Sequence, residues 1–75
     1  MPVTTAKPKG ASLGERVVSL RKAKDWTQFD LAAASDLSLS TVQQVELDNA
    51  DPRGSTLVSL ARALDTSAGA LLGEG

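Results

Sequence analysis

The sequence predicts an all-α fold: a compact bundle of about five short helices behind a flexible N-terminal arm. Three observations lead there. No segment alternates apolar and polar residues with period two over a useful length. Apolar residues recur instead at helical spacing, in several short runs. Most of those runs open on a Ser or Thr whose hydroxyl suits the unpaired backbone N–H groups of a helix start.

Residues 1–11 hold Pro2, Pro8, Gly10 and the basic pair Lys7 and Lys9, with almost no apolar content. A flexible basic arm is expected there, followed by one folded domain over 12–75. Ser12 and Glu15 have capping-box spacing, in which each side chain satisfies a backbone donor of the other. They open a first helix with Leu13, Val17 and Leu20 inward, ending near Lys24–Asp25. Thr27 and Asp30 repeat the pattern and open a second helix over about 28–35, with Leu31 and Ala32 inward. Asp36 interrupts it, and Leu37 is expected to anchor the turn. Ser38 caps a third helix running to about Leu47, with Val42 and Val45 inward. Residues 48–54 are dense in turn formers and read as a loop. A fourth helix over about 55–64 sets Leu57, Leu60, Ala61 and Leu64 on one face. Ser67 caps a last short helix containing Leu71 and Leu72, which Gly69 and Gly73 weaken.

Composition bounds the chemistry. A chain of 75 residues is one domain, near the lower size limit for folding without a staple. Hydrophobic residues make up 41%, enough for a small core. With no Cys there is neither disulfide nor thiolate, and with no His the usual neutral-pH acid–base group and commonest metal ligand are missing. The carboxylates are scattered through turns and caps and form neither an acid–base pair nor a metal-ligand cluster. An enzyme is not expected, and neither catalytic residues, bound metal nor cofactor. No apolar run approaches the roughly 18 residues of a membrane span, and no signal-peptide core is visible, so a cytoplasmic protein without membrane contact is the expectation. The net charge of −1 conceals an asymmetry: residues 1–24 carry six basic residues against one acidic, residues 25–75 two against eight. That split fits a localised anion-binding face, and equally a solvated first helix with a charged tail.

The most informative stretch is 27–46, TQFDLAAASDLSLSTVQQVE: two short helices about a tight turn. It continues a longer pattern, LGERVVSLRKAKDWTQFDLA, then the turn DLS and the helix TVQQVE, then DP before SLARALDTSAGALL. In order and spacing this resembles the helix-turn-helix of the phage-repressor-like (Xre-like, Cro-type) transcriptional regulators, over about 13–72. The resemblance implies a five-helix domain whose third helix enters the DNA major groove, with dimers binding two half-sites about one helical turn apart. Carried over by position, Leu39, Ser40, Gln43 and Gln44 would face the bases. Gln28, at the start of the second helix, would brace phosphate and the third helix.

The residue types agree with that assignment. Gln bonds an adenine edge through two atoms at once, Ser and Thr bond several bases less selectively, and Leu39 suits a thymine methyl. The starts of the second and third helices offer backbone N–H groups to phosphate, with Thr27, Gln28, Ser38 and Thr41 beside them. Arg53, before the fourth helix, and Lys7 and Lys9 on the arm are further candidate phosphate contacts. Of Arg16, Arg21, Lys22 and Lys24, at most one or two are expected to reach DNA. A pair of glutamines alone is ordinary solvated surface, and Thr27 and Ser38 serve as caps whether or not DNA binds.

The sequence departs from the family's pattern where Asp25, Asp36, Asp48 and Asp65 stand at positions that usually hold Gly. Each is expected to take a left-handed backbone conformation, which Asp tolerates better than most residues. Glu46 and Asp48, near the end of the third helix, are expected to disfavour DNA, making binding modest and its salt dependence shallow. Leu47 is unusual at an exposed position. Two functions follow: a sequence-specific regulator, foremost a repressor, bound as a homodimer to a palindromic double-stranded operator; or a protein-interaction module of the same fold, with a toxin or anti-repressor as partner, favoured by the acidic second half. A dimer contact would come from the fourth helix or from Leu64, Ala68, Leu71 and Leu72, although Leu64 and Leu71 equally suit the monomer core.

Overall fold

A computed structural model describes residues 12–48 and 52–73. The arm 1–11 with Lys7 and Lys9, residues 49–51 and residues 74–75 lie outside the described residues. Five helices follow in order: α1 (Leu13–Ala23), α2 (Gln28–Ser35), α3 (Leu39–Glu46), α4 (Gly54–Ala63) and α5 (Ala68–Leu71). Among the described residues there is no strand.

Local chemistry sets the boundaries. Ser12 with Glu15, and Thr27 with Asp30, form complete capping boxes, all four hydrogen bonds lying between 2.8 and 3.1 Å. Ser38 and Ser67 cap α3 and α5 through single bonds from Thr41 N and Ala70 N. The helix ends follow one plan. Asp25, Asp36, Asp48 and Asp65 all have positive φ, between 58° and 61°, as expected from their standing where the family's pattern holds glycine. After α1, α2 and α4 the residue following the aspartate, Trp26, Leu37 or Thr66, donates back five residues to Arg21, Ala32 or Ala61. These are Schellman ends built on aspartate rather than glycine.

The helices converge on one core of Val17, Leu31, Ala32, Val42, Val45, Leu60, Ala61, Leu64 and Leu71, with Leu13, Leu20, Trp26 and Leu37 packed around it. Each helix contributes at least one buried residue, and at 4 to 11 residues each is too short to persist without that packing. Leu64 and Leu71 belong to this core, which removes them as dimer contacts; Leu72 stays exposed and Ala68 half-buried. Helix α3 packs against both α1 and α2. It is thereby held on two sides, with its remaining face outward.

Candidate nucleic-acid interface

Helices α2 and α3 are separated by Asp36, Leu37 and Ser38. The left-handed Asp36 reverses the chain, Leu37 pins the turn to the core, and Ser38 starts the next helix. Val42 and Val45 fix the rotation of α3 by their burial. Ser40, Gln43 and Gln44 therefore lie exposed on the opposite side, with Leu39 and Thr41 half-buried at its margins. The four residues predicted to face bases occupy this presented part of α3.

The predicted phosphate contacts are placed less uniformly. Ser40, Thr41, Gln44, Pro52, Arg53 and Thr56 line one open groove between α3 and the start of α4, so Arg53 joins the outer face of α3. Arg53 is the N-cap residue of α4, exposed, and makes no side-chain capping bond. Ser38 Oγ accepts from Thr41 N at 3.1 Å and lies 2.8 Å from Thr41 Oγ1, so both hydroxyls already share a hydrogen bond. At the start of α2 the Thr27 N–H is taken by Asp30 Oδ2 at 2.8 Å. The capping box expected from the sequence thus occupies that backbone donor, while the Thr27 hydroxyl, which accepts from Asp30 N, retains its proton for donation.

Behind the outer face runs a chain of side chains of which sequence reasoning anticipated the contact of Gln28 with α3 and missed the Arg21–Glu46 pair. Arg21 Nε and Nη2 donate to the two carboxylate oxygens of Glu46 at 2.7 and 3.1 Å, and Arg21 Nη1 donates to the Trp26 carbonyl at 2.8 Å. Gln28 Nε2 donates to Glu46 Oε1 at 2.8 Å. Gln43 Nε2 reaches Gln28 Oε1 at 3.5 Å, the long limit of a hydrogen bond. The Arg21 and Glu46 side chains are only 11% and 4% exposed. Glu46 thus points inward with its charge matched by a bidentate guanidinium, and the expectation that it opposes DNA is corrected. Asp48 is similarly engaged: its carboxylate accepts from Gly14 N at 2.9 Å, at the positive end of α1.

The same pairing consumes part of the basic half of the chain. Arg21 serves Glu46, and Lys24 pairs with Asp65 at 2.7 Å while its ammonium stands 5.2 Å from the Trp26 ring centroid. Lys22, by contrast, is exposed. Phe29 and Leu47, 70% and 66% exposed, are the most open large apolar side chains among the described residues.

A five-helix domain that presents one polar helix after a three-residue turn defines the class. The chain belongs to the helix-turn-helix family, whose model matches residues 18–71. It is 36% identical over 63 residues to the immunity repressor protein of Bacillus phage phi105, covering 84% of this chain and 44% of that protein, so it spans less than half of that relative. The P22 c2 repressor solved in complex with a synthetic operator superposes with a TM-score of 0.80 at 29% identity, over 87% of this chain and 98% of that one. The solution structure of the DNA-binding domain of the P22 c2 repressor gives a TM-score of 0.76 at 30% identity, over 81% and 80%.

Proposed function

We propose that this chain is a sequence-specific DNA-binding transcriptional regulator, acting as a repressor, that inserts the outer face of α3 into the major groove of double-stranded DNA. The observation that carries the reading is the division of α3: Val42 and Val45 buried, Ser40, Gln43 and Gln44 exposed. A helix fits the major groove, and these side chains carry the donors and acceptors that base edges present there. Leu39 supplies an apolar margin for a thymine methyl. Gln28, Thr27, Ser38, Thr41 and Arg53 supply backbone contacts, and Lys7 and Lys9 add charge from the arm. The likeness to a repressor solved on its operator supports the same placement.

A homodimer on a palindromic operator, in the cytoplasm, completes the proposal. The two-fold arrangement would repeat each half-site about one helical turn apart. Selection from random duplex pools at low salt, followed by gel shift, tests it. Enrichment of a palindromic motif is the expected result; no enrichment at any salt concentration overturns it. A second reading, a module that binds a protein partner, is favoured by the exposed Phe29 and Leu47. It predicts that no duplex motif is selected.

A further inference from the structure

We infer that Glu46, acting through Gln28, sets which way round the Gln43 amide faces and so makes Gln43 an adenine-selecting side chain. This rests on the DNA-binding reading above. A glutamine amide has a donor end and an acceptor end, and rotation about its last bond exchanges them. What holds one order is the neighbour. An ionised carboxylate accepts hydrogen bonds and donates none. Glu46 therefore draws the amine end of Gln28, at 2.8 Å, and leaves Gln28 Oε1 facing Gln43. That oxygen also only accepts, so Gln43 turns its own Nε2 toward it, across 3.5 Å.

The outcome is a relay of polarity. Gln43 keeps Oε1 and its second Nε2 proton for a partner outside the protein, in a fixed order. Adenine, alone among the bases in the major groove, sets a donor amine beside an acceptor ring nitrogen. Guanine shows two acceptors, cytosine a donor amine, and thymine an acceptor and a methyl. The relay is stiff at its inner end, because the three Arg21 bonds to Glu46 and to the Trp26 carbonyl prevent the carboxylate from rotating. Glu46 is almost inaccessible, so water is poorly placed to replace Gln28. Gln44, the next residue, takes no part in the relay and is free to meet its base in either order. Glu46 and Gln28 are thus positioning residues, and Gln43 the one that touches the base.

The test reads base preference position by position. Random duplexes are selected with the intact chain, with Gln28→Leu and with Gln43→Ala. The intact chain is expected to favour adenine at one position of each half-site by roughly fivefold or more. Gln43→Ala levels that position. Gln28→Leu lowers the preference there by at least about threefold and leaves the neighbouring positions unchanged. The Arg21–Glu46 pair survives in Gln28→Leu, so the domain should remain folded; Gln28→Met, which keeps the side-chain length without the amide, gives the same outcome should leucine distort the helix. Weaker binding with the adenine preference intact means that Gln28 serves only phosphate or stability, and it overturns the relay. Failure to select any motif overturns the DNA-binding reading itself, and the relay with it.

Discussion

The Gly14 amide donates to the Asp48 carboxylate at 2.9 Å, joining the first turn of α1 to the second residue beyond the end of α3. The approach is close enough to require glycine. A Cβ at position 14 would lie 2.5 Å from the Glu46 carbonyl oxygen and 2.8 Å from that of Val45. Both neighbours are backbone, so relief means moving one helix from the other. Gly14→Ala is therefore predicted to destabilise the domain by about 1–2 kcal/mol, overpacking outweighing the better helix propensity of alanine. Urea unfolding followed by circular dichroism measures this; an unchanged or raised midpoint would contradict the close approach.

The left-handed aspartates separate backbone strain from side-chain bonding. Asp36→Gly relieves a φ of 61° and is predicted to stabilise by several tenths of a kcal/mol, up to about 1. Asp65→Gly gains as much from its backbone but loses the bond to Lys24. That carboxylate is 78% exposed, so the loss is small and the net change stays near zero or favourable. Asp48→Gly is predicted to destabilise in spite of the same φ, because the Gly14 N–H loses its acceptor. Melting curves of the three variants should rank Asp36→Gly highest and Asp48→Gly below the parent. A melting point for Asp48→Gly above that of the parent would show that the carboxylate contributes nothing.

Arg21 and Glu46 are predicted to be strongly coupled. Removing Arg21 leaves a carboxylate that is 4% exposed with Gln28 as its remaining charge-stabilising partner. Arg21→Met should cost about 3 kcal/mol, a large share of the stability of a domain this small. Replacing both residues by Met should cost far less than the sum of the single changes, since no buried charge is left behind. A double-mutant cycle on unfolding free energies reads the coupling. Additive effects would mean that the pair is not a unit.

Base-reading and backbone-contacting residues should fail differently. Gln44→Ala is predicted to weaken binding to the selected site by about 1–3 kcal/mol and to relax one position of the motif. Arg53→Ala should weaken binding to all sequences alike and make the salt slope shallower by about 1. For the intact chain about four phosphate contacts give a slope of log K against log salt near −4, because Arg21 and Lys24 are engaged within the protein. Fluorescence anisotropy across a salt series measures both quantities. A slope steeper than about −8 would show that more cations reach the duplex.

What was legible in the sequence follows from the range of the signals. Capping boxes act over three residues, and Ser12–Glu15 and Thr27–Asp30 were readable for that reason. The left-handed aspartates were readable because a helix end is a local conformational problem. Burial of Val42 and Val45, and hence the exposure of Ser40, Gln43 and Gln44, followed from helical spacing. Arg21 and Glu46 are 25 residues apart, and no periodicity encodes such a pair. Glu46 therefore read as an unfavourable surface charge when it is a buried anchor. Gly14 gave equally little warning, since only the packing of α1 on α3 makes its missing side chain necessary.

The proposed function turns on which face of the domain meets the duplex. Amide and side-chain NH2 shifts of the 15N-labelled chain, titrated with its selected duplex, measure that directly. The largest changes are predicted for residues 39–44 and the Gln28, Gln43 and Gln44 side-chain amides, with smaller ones at Thr27 and Arg53. Changes gathered instead on Val58 and Leu72, with α3 unmoved, would contradict it.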